Sequence, residues 1–495
     1  MKAARKHLEQ AIAINPDFAE AYYKLGLLLK SEGKRPEALE NFRKAVSLNG
    51  DFAEAQCELA IALAADGERE AARNHFLNAL EINPSYADAY YHYALLLVEL
   101  KDVEEAKNNL EKVTEVDQNY ALAYYQKARL LTNPDDFEDA RKNFETSTDI
   151  KPDFIDAHYY MGKLLAGGVA TDKGGAIVDR TDLALAKESF LRVLEINPSH
   201  AKALYNLARI LLNEDKVKEA KSRLLKALEI DPEYSKAHYL LGNAFYELGD
   251  LAKAKKHYIS SIECYQENPL AHYRLGKLQA EEGDTEGGEE NLRKTVTLDP
   301  EHAEAHYHLA LILTALDDPG PAKKHFFRSL EISPEFALAY YHLGHHLERH
   351  GDLNEAKIHF QRATDVDQNF VDAYFNLARI LNLPSEYDQA VRNYETALEI
   401  DPGHARAHYC FAKLLVSGAR VTTDGTHLLE PDLDRAERHF VRAIEIDPKY
   451  CKAHFRLGLL LCEKKLFADA KTHIGKLYAI ILSIVGDHIR RIPTS

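Results

Sequence analysis

The sequence predicts an all-α solenoid of helix–turn–helix repeats, on three observations. A period of 34 residues runs through the 495-residue chain, two positions of each repeat hold only small residues, and a longer period of 250 residues superimposes one half on the other. Nested periods settle the fold before any single residue does. A repeat that cannot bury its apolar face alone must stack on its neighbours.

The long period is visible in whole segments. Asp117-Gln118-Asn119 recurs as Asp367-Gln368-Asn369, and Lys6-His7 as Lys256-His257. The run ENFRKAVSLN from Glu40 returns as ENLRKTVTLD from Glu290, and HFLNALEINP from His75 as HFFRSLEISP from His325. Residues 1–245 and 251–495 read as two copies of one ancestral segment.

Each short repeat reads as two helices. In residues 19–52, Tyr22, Leu25 and Leu29 share one helical face, and Ala38, Phe42 and Ala45 share the next. That spacing buries a stripe from each helix. Gly33-Lys34 breaks the chain between them. Asn-Pro or Asp-Pro closes most second helices, because Pro cannot continue the hydrogen-bond ladder and restricts the residue before it. The eighth position is Gly26, Ala60, Ala94, Ala128, Gly162, Ala208, Gly242, Gly276, Ala310, Gly344, Ala378, Ala412 or Gly458. The twentieth is Ala in every repeat except one, where it is Gly288. Small residues there let the paired helices approach, and a large one would overpack the contact. Four residues after the second small position a ring recurs, as in Phe42, Phe76, Phe144, Phe190, Tyr258, Phe326, Phe360, Tyr394 and Phe440.

On these residues the chain resembles the tetratricopeptide repeat (TPR) superfamily over residues 2–484. It is similar to the repeat region of O-GlcNAc transferase-like proteins, with no glycosyltransferase domain following. The resemblance divides the chain into a partial repeat (residues 1–18, a second helix), repeats 1–7 (19–268), repeats 8–13 (269–484) and a tail (485–495). It implies a right-handed superhelix with first helices on the concave face and second helices on the convex face. One departure is consistent. The family's usual Trp at the fourth position is absent, and Tyr22, Tyr90, Tyr124, Tyr340 and Tyr374, or His158, His238, His272, His306, His408 and His454, stand there.

Two repeats run to 46 residues, with the extra 12 between first and second helices in both. The stretches are 166–183 and 416–433, and their Gly, Thr, Asp and Pro predict loops with local turns. They read either as tolerated surface length or as segments that pack on a neighbouring repeat or meet a partner. The copies are offset by seven repeats and one insertion, about one superhelical turn by the resemblance. Both insertions are therefore expected on one side, as two equivalent docking points.

The resemblance puts the fifth position of each first helix near the groove. It is aromatic in every repeat but one: Tyr125, Tyr159, Tyr205, Phe375 and Tyr409 are examples, and Cys57 breaks the series. The rings read as packing between first helices, or as a ladder for an extended peptide. One turn on, the ninth position carries Arg129, Lys163, Arg209 and Lys277, then Arg379 and Lys413. In a chain of net charge −16, a basic cluster that recurs at the long period suggests capture of acidic or phosphorylated segments. Local pairing with Asp or Glu of adjacent helices is the other reading. The expected peptide-binding residues are Tyr125, Arg129, Tyr159, Lys163, Tyr205, Arg209, Phe375, Arg379, Tyr409 and Lys413. Two known TPR modes fit poorly. A carboxylate clamp needs Lys at the fifth position and Asn at the ninth, and here the fifth is aromatic and only Asn243 fills the ninth. An asparagine ladder at the sixth position would need more than Asn206 and Asn376.

The remaining features exclude more than they propose. The acidic balance argues against nucleic-acid binding, and the most apolar run, Ile474 to Val485, is too short to span a bilayer. Five cysteines without a CxxC pair read as reduced, mostly packed thiols. No signal-peptide pattern opens the chain, which points to a cytoplasmic, nuclear or ciliary setting. No nucleotide-binding or nucleophile motif occurs. The densest ligand cluster, His342, His345, His346 and His350, reads as incidental, so no metal, cofactor or catalytic residue is expected. The array begins at a lone second helix and ends on an apolar one without an evident cap, so an incomplete array or head-to-tail association is expected. The function expected is a non-catalytic scaffold for peptides or proteins. The alternatives are a targeting array for a glycosyltransferase encoded elsewhere, and a self-assembling structural or ciliary subunit.

Overall fold

The computed structural model describes residues 2–167, 169–171, 177–179, 181–381, 383–418 and 431–490. The chain is an all-α solenoid of paired helices and divides into two compact halves, Met1–His257 and Tyr258–Ser495. The first half opens with helix Lys2–Ile14. The pairs Ala19–Ser31/Arg35–Leu48, Ala53–Ala65/Arg69–Ile82, Ala87–Glu99/Val103–Val116 and Ala121–Leu130/Phe137–Ile150 follow. Next come Ile155–Ala166/Leu183–Ile196, Ala201–Asn213/Val217–Ile230 and Ser235–Glu247/Leu251–Cys264, whose last helix contains the boundary. The second half continues with Pro269–Glu282/Thr285–Leu298, Ala303–Ala315/Pro319–Ile332 and Ala337–Arg349/Leu353–Val366. It ends with Val371–Ile380/Tyr387–Ile400, Ala405–Ser417/Leu433–Ile446 and Cys451–Glu463/Phe467–Arg490.

The turn inside a repeat needs a left-handed residue, which Gly adopts without steric cost. Gly33 has φ +78°, and Lys101 takes the same role at +65°. Close approach at the eighth position is equally concrete. A Cβ on Gly26 would lie 2.6 Å from the Phe42 ring, and one on Gly344 2.8 Å from Phe360. Both rings are fully buried, each contributing about 1.5–3 kcal/mol of transfer free energy.

Within each half, consecutive first helices also meet directly. Ala53–Ala65 approaches Ala87–Glu99, Ile155–Ala166 approaches Ala201–Asn213, and Pro269–Glu282 approaches Ala303–Ala315. The fifth-position rings join them by a regular device. In most repeats the ring packs, tilted, against an aromatic N-cap of the next first helix: Tyr23 on Phe52 at 4.9 Å, Tyr125 on Phe154 at 4.9 Å and Tyr205 on Tyr234 at 5.1 Å. In the second half Tyr273 meets His302 at 4.5 Å and Tyr307 meets Phe336 at 4.8 Å. Where that N-cap is His, its Nδ1 also accepts a backbone N–H of the first turn, as from Ala203, Ala305 and Ala407.

The fourth-position residues that replace Trp have a polar role. His238, His306, His408 and His454 each donate Nε2–H to a proline carbonyl six residues back, at 3.0–3.2 Å. A carbonyl only accepts, so in the neutral ring Nδ1 is left as an acceptor. It faces Nδ1 of a second histidine on the following helix: His257, His325, His439 and His473, at 3.1, 2.9, 2.8 and 3.2 Å.

One expectation is corrected. The first insertion is not only turns. Val169–Thr171 and Ile177–Asp179 form an antiparallel two-stranded ladder, and the first strand lies against the 3-10 turn Pro134–Asp136 of the preceding repeat. The first helix of that repeat, Ala121–Leu130, is three residues shorter than the first helix before it, Ala87–Glu99, because Pro134 follows and starts the 3-10 turn. The second half repeats the device with Val371–Ile380 and Pro384–Glu386. Both insertions close on the same bond, Asp182 N–H to Leu165 O at 3.0 Å and Asp432 N–H to Leu415 O at 3.1 Å. Residues 419–430 lie outside the described residues, and with them the expectation of two docking points on one side. No disulfide joins any of the five cysteines; Cys57 is buried in the core of the first half, Cys410 and Cys462 pack half-buried against that of the second, Cys451 is half-buried and Cys264 is exposed.

Candidate functional site: the first-helix face

The basic residues of the first half sit on three consecutive first helices. Arg129, Lys163 and Arg209 are all exposed, and none has a carboxylate within ion-pair distance among the described residues. Aromatic rings hold them instead. The Arg129 guanidinium lies 5.5 Å from the Tyr125 centroid and 5.1 Å from Tyr160. Lys163 Nζ lies 5.4 Å from the same Tyr160 ring and 6.0 Å from Tyr159. Arg209 is close enough to Tyr159, Tyr205 and Tyr234 for its charge to ease their ionisation. Cation and ring therefore alternate along the face: Arg129, Tyr160, Lys163, Tyr159, Arg209. An opposing charge comes from the exposed Asp156, which acts on Tyr125 and His200.

The rings themselves are structural first. Tyr125 is buried and packs on Phe144, Phe154 and Tyr160; burial pushes its hydroxyl up to about 12. Tyr159 and Tyr205 are half-buried and raised for the same reason. Tyr159 bonds Asn206, as Tyr341 does Asn376 at 3.3 Å in the second half. The two sixth-position asparagines are thus tied to phenols of the preceding repeat.

The second half rearranges the same positions. Phe375 is buried against Tyr394 and His404, with the Arg406 guanidinium 5.4 Å from its centroid. Arg379 pairs with Glu348 at 2.7 Å and also donates to Asn376 Oδ1. Here local pairing, the other reading of the basic residues, describes the geometry. Lys413 is exposed, 5.9 Å from the half-buried Tyr409 ring. Cys410 replaces Tyr160, Arg406 replaces Asp156 and Leu459 replaces Arg209. Sequence reasoning named the cations but missed Tyr160, the ring two of them share. Its signal was present: it is the only tyrosine at the sixth position of any repeat.

The histidine cluster at 342–350 is largely absorbed by packing. His346 is 3% exposed and bonds Thr314 and the Pro319 carbonyl, and His345 lies 3.5 Å from Glu348.

Helix pairs in register, small residues at their contacts and rings at fixed steps define a TPR protein. The chain belongs to the tetratricopeptide repeat family. TPR repeat and tetratricopeptide repeat models match residues 1–33 and 208–249, 63–130, 189–222, 19–52, 121–154 and 235–268, and 273–321 and 341–404. No curated protein sequence matches the chain. Among solved structures it is similar to the anaphase-promoting-complex heterotetramer Cut9-Hcn1, at 15% identity over 93% of each chain and a TM-score of 0.41. It is also similar to yeast Tom70, at 17% identity over 96% of this chain and 97% of that one, with a TM-score of 0.32. MamA from Desulfovibrio magneticus RS-1 aligns at 21% identity with 34% of this chain and 96% of its own, at a TM-score of 0.32. Among the described residues, no helix is long and apolar enough to cross a membrane.

Proposed function

We propose that the chain is a non-catalytic interaction scaffold that holds an extended, acidic segment of another protein along the first-helix face of its N-terminal half. Described helices belong to repeats, and TPR proteins as a class bind proteins or peptides. One observation carries the finer reading. Three exposed cations, one repeat apart, lack carboxylate partners among the described residues in a chain of net charge −16. Such a row draws in an acidic segment electrostatically and fixes its register. Tyr159 and Tyr160 add flat apolar surface beside the charges.

Isothermal titration of a fluorescein-free Glu/Asp-rich peptide into the full chain tests this. Arg129→Glu with Lys163→Glu should abolish binding, and unchanged binding discards the reading. The asparagine ladder of a glycosyltransferase targeting array gains little support, since Asn206 and Asn376 already bond phenols.

A further inference from the structure

Tyr160 sits between two cations that have no anion of their own among the described residues. Arg129 and Lys163 come from adjacent repeats and lie 5.1 and 5.4 Å from its centroid. Each ring contact is modest, and the two like charges repel, so the arrangement is a prepared site of positive potential. A carboxylate brings one charge and answers one of the cations. A phosphate monoester brings close to two charges and three acceptor oxygens, and can take a guanidinium and an ammonium together.

Resting on the scaffold reading above, we infer that the Arg129–Tyr160–Lys163 cluster binds the phosphate of a phosphorylated serine or threonine in the partner segment. Arg209, one repeat further along the same face, takes a flanking carboxylate. Packed helices lie about 8–10 Å apart and an extended chain advances about 3.3 Å per residue. The flanking Asp or Glu therefore falls about three residues from the phosphorylated one. The second half is not equivalent. Cys410 removes the shared ring, Glu348 occupies Arg379 at 2.7 Å, and Leu459 removes the third cation. Asp156 at the edge of the site disfavours phosphate there, and Arg129 and Lys163 both lie beyond its ion-pair distance among the described residues.

The test is fluorescence polarisation of the full chain with three degenerate peptide pools. All carry Glu three residues from the centre, which is phosphoserine, serine or glutamate. The phosphoserine pool should bind about tenfold more tightly than the serine pool, with glutamate between them. Arg129→Gln with Lys163→Gln should remove that preference while weak serine-pool binding and the Tm persist. Tyr160→Phe should keep the preference and Tyr160→Cys should lose most of it, which separates positioning by the ring from a direct bond by its hydroxyl. Equal binding of the phosphoserine and serine pools overturns the inference and leaves the scaffold reading standing. A preference that survives Arg129→Gln with Lys163→Gln overturns it too. Binding of no pool overturns both readings.

Discussion

Arg379 donates to Glu348 at 2.7 Å, while Arg129, its counterpart 250 residues earlier, has Val98 where that carboxylate would stand. One substitution thus divides two copies of a segment into a cation paired with a carboxylate and one without a carboxylate partner among the described residues. Burial opposes ionisation of Glu348, but Arg379 and His345 outweigh it and hold the carboxyl below its usual range.

Transplanting the pair should close the basic face. Val98→Glu is expected to engage Arg129 and weaken acidic-peptide binding about tenfold, a change of about 1.4 kcal/mol. Stability should move by under about 1 kcal/mol, because the residues are partly exposed. Titration calorimetry and thermal melts on the same sample measure both quantities. Binding unchanged by Val98→Glu would remove Arg129 from the site.

Acid should destabilise the fold through its histidine pairs. Burial, reinforced by the facing ring, lowers His257, His325 and His439 to about 4. Lys256, Arg293, Arg435 and Arg438 push the same way, and Asp432 opposes them at His439. The unfolded chain therefore binds more protons than the folded one between pH 4 and 6.5. The contribution of these groups is complete above about pH 6.5 and falls as pH drops toward 4. Asn291 already serves as partner to His272 at 2.8 Å, so His257→Asn, His325→Asn and His439→Asn should be tolerated. Melting curves from pH 7.5 to 4.5 should show a smaller loss of Tm in that triple variant. An identical profile would rule the pairs out as the source.

Overpacking the eighth position should be graded by size. Gly344→Ala forces Phe360 to shift and should cost about 1 kcal/mol, and Gly344→Leu about 3 kcal/mol or more. Ala310 already faces the buried Phe326 in the repeat before, which is why the smaller change is survivable. Denaturant titration reads both, and Phe360→Leu should relieve part of the Gly344→Ala penalty.

Loss of an aromatic N-cap should loosen one junction in particular. Phe154→Ala removes the ring packed at a tilt against Tyr125 at 4.9 Å and should cost about 3 kcal/mol. Hydrogen exchange should rise first at the start of helix Ile155–Ala166. Uniform acceleration over the whole half would show that the clasp is not local.

The solenoid was legible because its determinants repeat. Gly26 and its equivalents state the helix contact thirteen times over in one chain, and nine of those repeats add a ring at the position of Phe42. The histidine pairs were not, because their members lie 19 or 31 residues apart and each alone looks like a surface residue. Their joint occurrence in four repeats was the available signal. The first hairpin was hidden by glycine-rich composition, although Val169-Ala170-Thr171 and Ile177-Val178-Asp179 favour strands. At the site, the cations were legible as charge in an acidic chain. What each one faces was not, because Glu348 and Tyr160 come from neighbouring repeats and sequence spacing alone does not reveal that.

The strand Val169–Thr171 lies on the turn Pro134–Asp136, so the fourth and fifth repeats are joined at two places, once through their helices and once by this strap. A stacked array under tension is expected to part at its singly joined seams. Pulled from its ends, the first half should therefore lose most repeats one at a time and release these two, which carry Arg129 and Lys163, in a single longer step.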